Sequence, residues 1–242
     1  MSTQPSPIRW HITDRIVDRA LDYVAQAAEQ ALRQRGAFHL VLAGGSTPRA
    51  LYQQLTHLST DWSRWHLWFG DERCLPAQDP ERNSRMAGNV WLDASPIPIT
   101  QIHVIHAEYG PQSAAADYCR QLEQVELFDL VLLGLGEDGH TASLFPRLTL
   151  ADEPADVIAV YHAPKPPSER VSLSVRRLSA SRKILFMVTG ASKQAAVNAW
   201  RRGEPLPATL INSLDGVDIL LSQDACASNH DFPFTQNSGH PR

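Results

Sequence analysis

The sequence predicts a single α/β domain with a largely parallel β-sheet flanked by helices. Short apolar segments typical of buried strands alternate along the chain with amphipathic segments of helical period. Several of the apolar segments lead directly into a glycine-containing turn, as strands of a parallel sheet do before a crossover helix. No linker or internal repeat divides the 242 residues. We expect the domain to span residues 8–226, with disordered tails at 1–7 and 227–242.

Composition and charge argue against several classes of partner. A formal net charge of −4 and the lack of a basic tract disfavour nucleic-acid binding. No apolar run approaches the roughly 18–20 residues that cross a bilayer, so we expect no membrane partner. Three widely spaced cysteines form no CxxC pair, which indicates a reducing compartment and disfavours a cysteine zinc site. Because the N-terminus lacks a basic-then-apolar leader, we expect a cytoplasmic protein.

The first elements follow a strand–helix–strand order. Residues 8–12 fit a short edge strand, and Asp14 is a candidate cap for a helix that Gly36 ends. Apolar residues within that segment keep helical spacing. Residues 38–43 are the second predicted strand, followed by a helix from Pro48 to about residue 58.

The turn after the second strand, Gly44-Gly45-Ser46-Thr47, is a candidate anion cradle. Glycine turns that open a helix present free backbone N–H groups and the positive end of the helix dipole to a ligand. The alternative is an ordinary strand-to-helix turn in which Ser46 or Thr47 only caps the helix. On this segment alone the two interpretations are equally good.

The third predicted strand, residues 65–69, runs into a turn with the sequence Gly-Asp-Glu-Arg. Arg73 in this turn could bind a phosphate or a carbonyl oxygen, although a surface salt-bridge cluster is favoured on this segment alone. The polar loop that follows is a candidate lid, and a helix is expected over residues 83–92. Residues 102–105 fit a short strand. His103 and His106 resemble a metal pair only superficially, since no third ligand is in view.

Residues 128–146 are the stretch around which the rest of the chain is organised. Their pattern predicts a buried strand, a glycine-rich turn and then His140 at the start of a helix. Asp138 lies two residues before the histidine. Ligands of open α/β sheets bind outside the carboxyl ends of the strands, so this titratable pair is a candidate site. Taken alone, His140 would by default be a structural histidine, and Asp138 is equally well explained as a turn or helix-capping residue.

The remaining segments complete the alternation. A helix is expected over residues 113–125, with strands over 157–160, 171–175, 183–189 and 217–221. Arg170 follows a proline-rich loop. Lys193 falls in the first turn of a helix, where the helix dipole disfavours a cation unless an anion binds nearby; solvent exposure is the alternative.

Several short motifs occur in one order, and together they resemble the 6-phosphogluconolactonase family. They are GGSTP at 44–48, GDER at 70–73, Asn83-Ser84, GLGEDGHTASLFP at 134–146, Arg170 and GASK at 190–193. The resemblance spans about residues 38–225 and implies hydrolysis of 6-phospho-D-glucono-1,5-lactone to 6-phospho-D-gluconate, without an obligatory metal or organic cofactor. It also implies a Rossmann-like fold similar to those of glucosamine-6-phosphate deaminase and ribose-5-phosphate isomerase, and a monomer, as in many members.

The resemblance makes catalysis the better interpretation of His140. A δ-lactone is an activated ester, so an enzyme need only orient water, remove its proton and stabilise the oxyanion. His140 suits the base, and Asp138 suits the residue that orients it. Of the three cations, we expect Arg170 and Lys193 to hold phosphate with Gly44–Thr47, and Arg73 to face the reacting end, although the sequence leaves this division open.

Two alternatives compete with the lactonase. One is a deaminase–isomerase acting on glucosamine 6-phosphate, whose turn usually continues with an Asn-Glu pair that is missing after His140. The other is a sugar-phosphate-binding protein without activity. Retention of both Asp138 and His140 argues against a degenerate binder. A serine hydrolase is disfavoured, since there is no GxSxG and nothing would activate Ser143.

Overall fold

The computed structural model describes residues 7–148 and 154–226, so the predicted tails, apart from residue 7, lie outside the described residues. Among these residues, no helix has both the length and the apolar character that a membrane crossing requires. The strands are β1 (Ile8–Ile12), β2 (Phe38–Leu42), β3 (Trp65–Phe69), β4 (Asp71–Arg73), β5 (Phe128–Gly134), β6 (Val157–Val160), β7 (Arg170–Leu173), β8 (Ser181–Val188) and β9 (Val217–Leu221). The helices are α1 (Ile16–Arg35), α2 (Ser46–Leu55), α3 (Asn83–Val90), α4 (Pro111–Leu122), α5 (Val175–Ser179) and α6 (Gln194–Arg201).

Within the described residues, the central sheet has six strands in the order β1-β9-β8-β5-β2-β3, and every neighbouring pair is parallel. The predicted α/β class with a largely parallel sheet is therefore confirmed. Strands β5 and β9 are buried along nearly their whole length, because helices cover both faces of the sheet. Strand β1 lies at one edge of the sheet, as predicted, and it is only partly buried.

A second, antiparallel sheet in the order β4-β7-β6 was not predicted. Its strand β4 occupies the segment that the sequence presented as a turn with a surface salt-bridge cluster. That interpretation is wrong, because Asp71 is 7% exposed and Glu72 is fully buried. Strand β4 pairs with β7, which places Arg73 opposite Arg170. The two arginines thus become neighbours although they are far apart in the sequence.

Helix α1 packs against α2 and against strands of the central sheet through a stripe of small and apolar residues. It ends where predicted, because Gly36 adopts a left-handed conformation with φ 79°. The predicted cap at Asp14 is wrong: Arg15 occupies the N-cap and no side chain bonds the first turn.

Two further predictions were wrong. Residues 102–105 do not form a strand, since Ile102 makes only an isolated bridge to Leu67 at the edge of β3. No helix follows His140 in the described residues up to 148. Instead, the Thr141 hydroxyl donates to the Gly134 carbonyl at 2.9 Å and Ala142 has φ 48°, so the chain turns back on itself.

Three half-buried histidines stack beside Trp68 on one face of β2 and β3. His39 and His66 are cross-strand partners with ring centroids 4.6 Å apart, and the His103 ring lies 3.7 Å from the Trp68 ring. Trp68 donates to His39 Nδ1 at 3.2 Å, which requires a neutral acceptor nitrogen. Burial, together with the neighbouring imidazoles, lowers the pKa of both His39 and His103 to about 4. The described residues bring together no group of three or more His, Cys, Asp or Glu side chains that could hold a metal ion.

Candidate active site

A cleft of about 410 Å³ lies at the carboxyl edge of the central sheet, over the junction of β2 and β5. From β2 the chain continues to β3 on one side, whereas β5 is followed in this sheet by β8 on the other side. This divergence makes the junction a topological switch point, the place where open α/β sheets bind ligands. The cleft therefore lies where the fold class predicts a site.

The cleft collects most of the residues that the sequence proposed, although they come from both sheets. Those that line it are Gly44, Gly45, Arg73, His140, Arg170 and Lys193. Ser46 and Thr47 line a neighbouring cleft of about 740 Å³ instead, where the Thr47 hydroxyl lies 2.9 Å from that of Thr189. Asp138 does not line the cleft but contacts His140 from behind. The structure thus separates the two glycines of the candidate cradle from its two hydroxyls.

His140 is held by the glycine turn that follows β5. The Gly136 N–H donates to the His140 carbonyl at 2.7 Å, and Gly139 has φ 81°, which favours glycine. A Cβ on Gly136 would lie 1.9 Å from His140 Nδ1, so the ring occupies the space that a side chain would need. The imidazole also packs against Phe145, with ring centroids 4.8 Å apart. The ring is therefore fixed by packing as well as by hydrogen bonds.

Asp138 orients the histidine ring. Its carboxylate contacts His140 Nδ1 in a short hydrogen bond and accepts from the His140 backbone N–H at 3.2 Å. A carboxylate at Nδ1 favours the tautomer that carries hydrogen there, which leaves the Nε2 lone pair for the cleft. Partial burial raises the pKa of Asp138, but its bonds to His140 lower it more, so the net pKa is below its usual value. The pair has the geometry of an oriented general base.

Strand β4 contributes Asp71 to the cleft wall, a residue that sequence reasoning did not select. Ser143 donates to Asp71 Oδ2 at 2.6 Å, and Asn83 donates from its amide to Asp71 Oδ1 at 3.0 Å. The Asn83 side chain in turn packs against Gly44, where a Cβ would come within 2.0 Å of its Oδ1. The position of Asp71 directly after a strand and a glycine was the available signal for it.

Glu72, the next residue of β4, supports the start of α3, from which Asn83 reaches Asp71. Its buried carboxylate accepts from the backbone N–H groups of Asn83 and Ser84, both at 2.8 Å, and from the Ser84 hydroxyl at 2.6 Å. It therefore caps α3 from another element, and Arg82 lies 3.4 Å from it. This acidic residue holds Asn83 in place and does not form a surface ion pair.

The cations of the cleft come mainly from the second sheet and its connecting loop. Arg170 is 6% exposed and donates to the carbonyls of Pro167 at 3.1 Å, Pro166 at 2.9 Å and Lys165 at 3.2 Å. Burial lowers the pKa of Arg170. Arg73 donates through Nη1 to the Glu81 carbonyl in the loop that precedes α3. Lys165 also lines the cleft, and the sequence reasoning missed it.

These groups give the cleft a positive charge in an acidic protein. Among the described residues, four cationic residues line it against one acidic residue, Asp71, whereas the whole chain has a formal net charge of −4. Lys193 completes the set from a short 3₁₀ turn just before α6, close to its predicted position. A concave site of this sign attracts a small anionic ligand.

Comparison with known proteins gives consistent matches. A family model described as glucosamine-6-phosphate isomerases/6-phosphogluconolactonase matches residues 12–219. The 6-phosphogluconolactonase of Synechocystis sp. is 38% identical over 194 residues, covering 75% of this chain and 79% of the relative. The chain spans only 25% of the length of the GDH/6PGL endoplasmic bifunctional protein of Oryctolagus cuniculus, to which it is 35% identical over 201 residues.

Solved structures agree with the fold. The 6-phosphogluconolactonase of Thermotoga maritima superposes with a TM-score of 0.85 at 27% identity, covering 90% of this chain and 100% of that one. A monomeric glucosamine-6-phosphate deaminase gives a TM-score of 0.77 at 18% identity, with 90% and 98% covered. The deaminase match shows the shared fold alone. The predicted likeness of the fold to glucosamine-6-phosphate deaminase is therefore confirmed.

Proposed function

The chain belongs to the family of glucosamine-6-phosphate isomerases and 6-phosphogluconolactonases, and from this membership we propose that it hydrolyses 6-phospho-D-glucono-1,5-lactone to 6-phospho-D-gluconate. Its relatives in Synechocystis and Thermotoga maritima carry the name of this activity. The observation that carries the proposal is the Asp138–His140 pair, which adjoins a positively charged cleft at the switch point of the sheet. An oriented imidazole beside several cations suits water attack on an anionic lactone.

In the proposed mechanism, His140 acts as the general base. Nε2 accepts a proton from a water molecule while the water oxygen forms a bond to the lactone carbonyl carbon. Asp138 holds the ring and stabilises the imidazolium that results. The tetrahedral intermediate then expels the ring oxygen, which takes the proton from Nε2 and leaves as the C5 hydroxyl. The atoms of one water molecule are thereby added, and no other reactant is consumed.

The cations divide between the two ends of the substrate. We assign Arg73 to the developing oxyanion, because its guanidinium lies in the cleft with His140 and is tied to the Glu81 carbonyl. Arg170 and Lys193 supply charge to the phosphate. Backbone groups of Gly44 and Gly45, just before α2, add the positive end of that helix.

The test measures loss of freshly prepared 6-phosphogluconolactone above its spontaneous rate. We expect acceleration by the wild type, and we expect His140→Ala to lower kcat by about 10²–10⁴-fold, the usual contribution of a general base. His57→Ala, which removes an exposed histidine, is the matched control. Full turnover by His140→Ala would reject the base. No acceleration by the wild type would reject the function and turn attention to ammonia release from glucosamine 6-phosphate.

A further inference from the structure

Lys165 is a cleft residue to which the reaction scheme above assigns no role. It lies in the connection between β6 and β7, residues 161–169, and it lines the same cleft as His140 and Lys193. Resting on the proposed function, we propose that Lys165 is a ligand of the substrate phosphate and that Arg170 acts partly as the residue that positions it.

The buried guanidinium of Arg170 holds this loop in place through hydrogen bonds. Arg170 bonds three successive carbonyls, those of Lys165, Pro166 and Pro167, through Nε and Nη2. Arg170 is also the first residue of β7 and pairs with Val160 and Arg73, so it is anchored in the second sheet. Because the backbone of Lys165 is tied to this arginine, its side chain starts from a fixed point at the cleft wall.

Several other features restrict the same loop. The Ala163 N–H donates to the Ser168 carbonyl at 2.9 Å and closes the loop on itself, and the Cys74 N–H donates to the Glu169 carbonyl at 3.1 Å. Prolines at 164, 166 and 167 fix φ on either side of the lysine. Restricting the unbound loop in this way lowers the entropy that must be lost when a ligand is bound.

Phosphate is the substrate group that this lysine suits. A phosphate dianion is costly to remove from water, so its favoured position is the solvent-exposed rim of the cleft, where Lys165 lies. An ammonium group on a flexible chain binds phosphate as a point charge and needs no fixed fork geometry. Arg73 and His140 are the groups assigned to the lactone ring, which leaves Lys165 to act with Arg170 and Lys193 on the phosphate.

The experiment compares two substrates that differ only in the phosphate. Lys165→Met keeps the length of the side chain but removes the charge. We expect its KM for 6-phosphogluconolactone to rise about tenfold with kcat within about twofold, and its KM for unphosphorylated glucono-1,5-lactone to stay unchanged. Lys165→Arg should recover most of the loss. Lys183→Met is the matched control, since Lys183 lies near the opposite end of β8 and contacts Gln30.

The outcomes separate this inference from the proposed function. An unchanged KM for the phosphorylated lactone, or an equal loss for both lactones, overturns the role of Lys165. If the wild type hydrolyses neither lactone, the proposed function fails. Calorimetric titration of 6-phosphogluconate into the wild type and Lys165→Met then decides the phosphate role, with about tenfold weaker binding by the variant expected and equal affinity overturning it.

The positioning role of Arg170 has its own test. Arg170→Lys keeps a positive charge but cannot bond three carbonyls with a planar fork. In this background the loop is no longer held, so adding Lys165→Met should raise KM by less than about threefold instead of tenfold. A full tenfold effect in both backgrounds would show that Lys165 does not depend on Arg170. Thermal unfolding of each variant confirms that the comparison is made on folded protein.

Discussion

Gly136→Ala tests how closely His140 must be held, without changing the side chain of either His140 or Asp138, the proposed catalytic pair. A Cβ at this position would lie 1.9 Å from Nδ1, 2.2 Å from Cε1 and 2.6 Å from Cγ of His140. Ordinary contact begins at 3.4 Å, so the ring must retreat by about 1.5 Å. Since φ at Gly136 is not positive, the substitution acts through space and not through backbone strain.

Such a displacement should lower both catalysis and stability. Moving the ring should break the contact of Nδ1 with Asp138 and shift Nε2 from its proposed position beside the attacking water. A misplacement of about 1 Å can cost roughly 10²-fold in rate, so we expect kcat to fall at least about 100-fold. The added methyl should lower the free energy of unfolding by about 1–3 kcal/mol, the usual cost of overpacking.

The assay is lactone loss above the spontaneous rate, combined with urea unfolding of the same preparations. Gly134→Ala is the control for an added methyl, because a Cβ there meets no atom within 4 Å and φ is not positive. Since Gly134 also lines the cleft, the comparison uses kcat at saturating substrate. Gly134→Ala should keep the His140 environment and lose little stability. If Gly136→Ala retained turnover within about threefold of the wild type, the fixed position of His140 would not matter, and the reasoning would be refuted.

Three further predictions concern the surroundings of the site. The unfolded state protonates His39 near its ordinary pKa of 6.5 and the folded state only near 4, so stability should fall as pH drops through this window. His39 alone should contribute roughly 2 kcal/mol of that fall from pH 7 to 5, and His103 adds its own share. Urea midpoints should show a smaller fall for His39→Gln, and an equal fall would contradict the assignment. Gly44→Ala should collide with Asn83 Oδ1 and lower both the melting temperature and kcat/KM, so wild-type values for both would contradict the packing. Glu72→Gln replaces one accepting oxygen by an NH₂ group that faces the backbone N–H donors of Asn83 and Ser84. It should lower the free energy of unfolding, measured with urea, by about 3–5 kcal/mol, and a loss below about 1 kcal/mol would contradict the capping role of Glu72.

The central sheet was predictable because each of its strands has a recognisable local sequence pattern. Each is a short apolar run bounded by turn residues, and the helices between them keep their own period. The second sheet gave no such signal, since β4 is only Asp-Glu-Arg and pairs with a strand almost one hundred residues later. This polar three-residue segment forms a strand only because the fold places β7 beside it. The local sequence pattern does not predict such a long-range pairing.

The candidate site divides in the same way. Asp138 and His140 were identified because the glycine turn and the pair lie within a few consecutive residues. Lys165 lies in a loop whose carbonyls accept hydrogen bonds from Arg170, a contact that no sequence spacing reveals. Ser46 shows the opposite case: α2 begins at this residue, so its side chain follows the helix and lines the neighbouring cleft and not the one with Gly44.

The two sheets contribute different parts of the proposed chemistry. The central sheet ends in the glycine turn that carries His140, whereas Arg73 and Arg170 come from the second sheet. A base and an oxyanion donor must keep a fixed separation, so the two sheets have to be tied together at the cleft. Ser143 provides such a tie, because it lies on the histidine turn and donates at 2.6 Å to Asp71 of β4. This bond uses the serine as a structural donor within the site, which is why a hydroxyl so close to His140 need not be a nucleophile.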